Sequence, residues 1–170
     1  MTSPQPEVWL RGAVPGVIPL LQPVAHALLQ TAEDLPPLLL SLSIEQFRAR
    51  PGGSASIGYH AIHLAGSLDR LFTYARGEPL SEAQRAALAE ERGAEDGMPP
   101  IATVVARLED TLRDAVAQLQ RTSAETLLGA REVGRGRLPS TVLGLLFHGA
   151  EHSTRHAGQI ATLARVVGAV

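Results

Sequence analysis

Apolar residues recur at intervals of three and four along almost the whole chain. That period puts them on one face of an α-helix. Period-two alternation is scarce and β-branched residues are few, so strands are not expected. Leu20, Leu21, Val24, Leu28 and Leu29 open the pattern in a segment beginning near Val17. Ile57, Ala61, Leu64, Leu68, Leu71 and Phe72 continue it over about Ser56–Arg76, with Gly77 as the C-terminal cap. Val104, Val105, Leu108, Leu112, Val116 and Leu119 mark a third stripe over Ile101–Arg121. The last segment opens near Pro139 or Ser140 and runs to about Val167. Four long amphipathic helices without strands specify an all-α four-helix bundle. With 170 residues, one domain over 1–170 is expected.

The punctuation between stripes refines this. Pro19 and Pro23 suit an early turn, while Pro36 and Pro37 are expected to break or kink the first helix after Asp34. Ser43 with Gln46, and Ser81 with Gln84, have the spacing of capping boxes and predict short connecting helices. Gly93–Pro100 reads as a loop, and the glycine- and arginine-bearing stretch Leu128–Leu138 as an irregular connection.

Several chemistries are absent from the composition. There is no Cys, so disulfides, zinc–thiolate sites and a thiol nucleophile are excluded. All 15 basic residues are Arg, which removes a Walker lysine and a lysine Schiff base. No apolar run is long enough for a transmembrane helix, and the N-terminus does not read as a secretory signal, so a cytoplasmic protein without membrane contact is expected. The net charge of −2 gives no reason to expect a nucleic-acid partner.

The histidines carry the chemical signal. Five of the six fall in two segments, His60/His63 and His148/His152/His156, with His26 alone on the first helix as a structural residue. His152 and His156, four apart, lie one turn apart on one helix face, a spacing that can grip a metal ion. A third donor must come from another element, and His63 and His60 are the candidates. Three neutral imidazoles with an open position make a catalytic-type site, in which a bound water is acidified.

Ser56–Ser67 reads Ser-Ile-Gly-Tyr-His-Ala-Ile-His-Leu-Ala-Gly-Ser, and Glu151–Ile160 reads Glu-His-Ser-Thr-Arg-His-Ala-Gly-Gln-Ile. Together with the order and lengths of the helices, these motifs resemble the DinB-like (damage-inducible, YfiT-type) superfamily of four-helix proteins. The resemblance implies a divalent metal, Zn²⁺ or Ni²⁺ first, held by His63, His152 and His156. It also implies a homodimer linked to stress responses, and chemistry that uses a low-molecular-weight thiol. The function expected is thiol-dependent S-transfer to a small electrophile. The alternatives are hydrolysis by metal-bound water, or metal and ligand binding without catalysis. Helical spacing alone places His60 nearer the centre of the apolar stripe; the motif selects His63.

Two further residues are catalytic candidates. His60 can be a substrate contact, a proton shuttle or a packed core residue. Glu151 can orient an imidazole or act as a base, or stand in solvent. His148 either touches the site or lies at its rim. Asp69 can support a ligand histidine or form a surface pair with Arg70. Arg131, Arg135 and Arg137 can clamp an acidic substrate or line a solvated loop. Gly158 and Gln159 read as structural, and Trp9 and Tyr59 are capping or pocket aromatics.

Overall fold

The structure, a computed structural model, describes residues 5–91 and 97–169. Two 3₁₀ turns, Val8–Arg11 and Pro19–Leu21, lead into helix α1, Gln22–Leu40. Short α2 spans Ile44–Arg48, α3 Ile57–Ala75, α4 Glu82–Glu91, α5 Ile101–Arg121 and α6 Val142–Val166. The long helices α1, α3, α5 and α6 surround one core, in which Leu21, Leu28, Leu35, Leu64, Leu68 and Leu108 are wholly buried. This is the all-α bundle that the periodicity requires, with short connecting helices.

Local sequence explains most boundaries. Ser43 and Gln46 form the full capping box of α2, and the Ser56 hydroxyl accepts from Tyr59 N to start α3. Gln84 N donates to Ser81 Oγ at the head of α4. Gly77, at φ +79°, follows the end of α3. Part of the expected 93–100 loop, residues 93–96, lies outside the described residues.

Three expectations need correction. First, α1 does not break at Asp34 but continues through Pro36 and Pro37 to Leu40. Leu35, Pro36 and Leu39 are buried, and packing on both sides of the prolines outweighs the lost helical bonds. Second, the 128–138 stretch is not irregular. Ala130–Val133 (β1) pairs antiparallel with Leu138–Thr141 (β2), joined by a turn in which Gly134 and Arg137 have positive φ. Third, α6 starts later than expected, because Pro139 and Ser140 belong to β2, and Thr141 Oγ1 accepts from Gly144 N to cap the helix.

The two helices that carry the paired histidines, α3 and α6, share the largest interhelical contact. Gly149 permits it: a Cβ there would lie 2.8 Å from Phe72 and 3.2 Å from Leu68. Gly149→Val is therefore expected to lower stability by about 2 kcal/mol through overpacking. A drop in the urea midpoint at unchanged m-value checks it.

Candidate metal centre

The i, i+4 spacing carries His152 and His156 on adjacent turns of α6, their ring centroids 4.5 Å apart. α3 brings His63 against both, at 5.2 Å from His152 and 4.8 Å from His156. One ligand atom from each of the three lies within 4.8 Å of the others. The nearest pair is His63 Nε2 and His152 Nε2, 3.0 Å apart.

Each ring is held from behind by a different device. His63 Nδ1 faces Glu91 Oε1 at hydrogen-bond range, and an ionised carboxylate only accepts, so His63 Nδ1–H is the donor. Tyr59, one turn earlier, stacks parallel on the His63 ring at 5.7 Å. His156 Nδ1 lies 2.9 Å from His60 Nδ1. When His156 is the donor of that bond, its Nε2 keeps a bare lone pair. The Nδ1 of His152 is buried without a hydrogen-bond partner.

Burial and neighbouring groups keep His152 and His156 neutral. Burial, then the neighbouring His152, His63 and His60, push His156 down to about 3. Burial and the nearby His63, His148 and Arg155 also lower His152, against a small opposing pull from Glu151. Burial works to raise the carboxyl of Glu91, but the hydrogen bonds and charges of His63 and Arg70 outweigh it and hold the group ionised below the usual range.

Three imidazoles fit a borderline divalent ion. Nitrogens about 2.0–2.1 Å from a tetrahedral zinc lie roughly 3.3 Å apart, close to the 3.0 Å between His63 and His152. His63, His152 and His156 can thus hold a metal ion.

The remaining candidates lie outside the three converging rings. His60 is buried against His156 and engaged by it. Glu151 takes Arg155 Nε at 3.0 Å and faces His148 Nδ1 at 3.3 Å, and the His148 side chain is 51% exposed. The Arg155 hydrogen bond holds the Glu151 carboxyl below its ordinary range. His26 Nε2 bonds Gly12 O at 2.9 Å and tethers the N-terminal segment. Arg131 Nε donates to Ala75 O at 2.8 Å, and Arg137 pairs with Glu132. Ala75 is twelve residues from His63 along α3, about 18 Å at helical rise, so Arg131 fastens the hairpin and not the histidine cluster. Trp9 is exposed and donates its indole N–H to Glu7.

Sequence reasoning missed Glu91 and Arg70. Arg70 Nη1 donates to Glu91 Oε2 at 3.0 Å, with the side chains only 11% and 5% exposed. The sequence offers Arg70 only as a surface partner for Asp69, and Glu91 carries no motif at the end of its short connecting helix. The available signal was spacing: His63, Gly66 and Arg70 fall on one face of α3 at i, i+3 and i+7.

The family model for the DinB superfamily matches residues 27–160. The chain belongs to the DinB superfamily. The match spans α1 to most of α6 and includes every histidine of the cluster. Among solved structures, this DinB superfamily chain is similar to the colibactin self-resistance protein ClbS, solved in complex with double-stranded DNA. The TM-score is 0.61 at 17% identity, covering 90% of this chain and 98% of that one. No curated protein sequence matches. The ClbS complex overturns the expectation that a protein of this kind has no nucleic-acid partner. Net charge sums the whole surface, whereas phosphate contacts depend on local arrangements of Arg and backbone N–H, so a near-neutral balance excludes nothing. Among the described residues, no helix is long and apolar enough to cross a membrane.

Proposed function

We propose that this chain is a single DinB-like domain that uses a divalent metal, zinc or nickel, to activate a low-molecular-weight thiol toward a small electrophile. The observation that carries the reading is the convergence of His63, His152 and His156 from two helices, each with a lone pair to offer. Coordination of a divalent ion favours the thiolate over the thiol at neutral pH. With such an ion bound, the thiol proton would pass to solvent, and the sulfur would bond to the electrophilic carbon as the leaving group departs with its electron pair. The protein has no thiol of its own to compete, since it lacks Cys. His60 acts in this reading by holding His156, and Tyr59 by fixing the plane of His63. Among the described residues the converging set is His63, His152 and His156 without His60 or His148, which supports an open coordination position over a closed binding site.

The test is turnover of zinc- or nickel-loaded protein with a panel of small thiols and an aryl or epoxide electrophile. Thiol-dependent conjugate formation, lost in His152→Ala, is the expected result. Product formed equally without thiol moves the reading to hydrolysis by bound water. No turnover with any pair removes catalysis and leaves a binding protein. Double-stranded DNA joins the partners to be tested through the fold shared with ClbS. A mobility shift with a random-sequence duplex that fades with salt supports it, and none at micromolar protein removes it.

A further inference from the structure

We propose that Glu91, at the end of α4, is a positioning residue that fixes His63 as an Nε2 donor, and that Gly66 exists to admit it. The inference rests on the metal reading above. Glu91 contributes no ligand to the cluster; it acts through His63. Its two oxygens are divided: Oε1 faces His63 Nδ1 and Oε2 accepts from Arg70. Arg70 Nη2 also reaches Oε1, at 3.5 Å. The carboxylate is thereby anchored from two directions with little solvent around it.

The consequence for His63 follows from counting protons. A neutral imidazole carries one N–H, and a carboxylate at Nδ1 claims it. Nε2 is then bare, and Nε2 is the nitrogen that faces His152. Without the carboxylate, the ring is free to take the opposite tautomer or to turn about χ2, and the lone pair leaves the cluster. Outer partners of this kind raise ligand basicity as well as fixing orientation.

Gly66 is the independent observation. It sits in the interior of α3, where glycine is costly relative to alanine. A Cβ at that position would lie 2.7 Å from Glu91 Oε2 and 2.8 Å from Arg70 Nη1. The three atoms nearest to that Cβ position all belong to the ends of this ion pair. Both side chains are flexible, so an added methyl would displace the carboxylate without disturbing the helix.

The experiment is a zinc titration against a competing chelator, paired with ¹⁵N NMR of the histidine side chains in the metal-free protein. Wild type, E91Q and G66A are compared. Wild type is expected to bind zinc and to show a His63 ring protonated at Nδ1 and bare at Nε2. E91Q is expected to weaken zinc roughly 10- to 100-fold and to lose the single-tautomer signature. G66A keeps both charged residues and gains helix propensity, so a loss of zinc affinity with unchanged or raised Tm separates positioning from folding. It also decides the matter should E91Q fold poorly. Zinc affinity and His63 tautomer unchanged in a folded E91Q or in G66A would overturn the inference while leaving the metal reading intact. A wild type that takes up no zinc overturns the metal reading itself, and the inference with it.

Discussion

Purified wild-type protein is expected to carry, or to take up on reconstitution, about one equivalent of zinc or nickel, and His152→Ala to carry none. The expected effect is large because His152 supplies one of three converging donors and the ring nearest to His63. Two imidazoles on separate helices do not hold a divalent ion against a chelator as three do. Elemental analysis of untagged protein checks it, with circular dichroism to show that the variant folds. His26→Ala, which loses only the bond to Gly12, is expected to keep the metal. Equal metal content in wild type and His152→Ala, or none in either after reconstitution, would remove the three-histidine centre.

The second large effect is on acid stability of the metal-free protein. The fold holds His156 at about 3, against an ordinary 6.5. The unfolded chain therefore binds more protons than the folded one throughout that interval, and stability rises with pH across it. The contribution is complete above about pH 6.5 and is lost as pH falls toward about 3. At pH 5 His156 alone should cost about 2 kcal/mol relative to pH 7.5. His152, also lowered, adds in the same direction. Below the ordinary carboxylate range, protonation of Glu91 removes a further contribution. Urea midpoints in chelator at pH 7.5 and pH 5 measure the slope, and His156→Leu should flatten it. A wild-type midpoint that does not change with pH would contradict the neutral, buried state of this ring.

Elements whose residues argue locally were legible before any fold was seen. The stripe from Val104 to Leu119 gives α5 its observed bounds, Ile101–Arg121, because one unbroken amphipathic face and two clear flanks decide a helix. The Ser43–Gln46 box formed as its spacing required. What depended on distant packing was not legible. Pro36 and Pro37 carry a local break signal, and only the burial of Leu35 and Leu39 shows why it loses. The 130–141 hairpin has four-residue strands, too short for alternation to stand out from glycines and arginines. His152 and His156 announced themselves as a pair through i, i+4 spacing. Glu91 did not, since its link to His63 spans 28 residues and two helices, and no period connects them.

The histidine cluster joins α3 to α6 across a long stretch of chain, with 89 residues separating His63 from His152. A bound ion there would work as a cross-link that closes this loop, in a chain without Cys to make a covalent one. Its contribution to folding would be tunable, growing with free metal concentration as ligand linkage dictates, where a disulfide is simply present or absent. Metal supply would then set how long the bundle survives, independently of any reaction it performs.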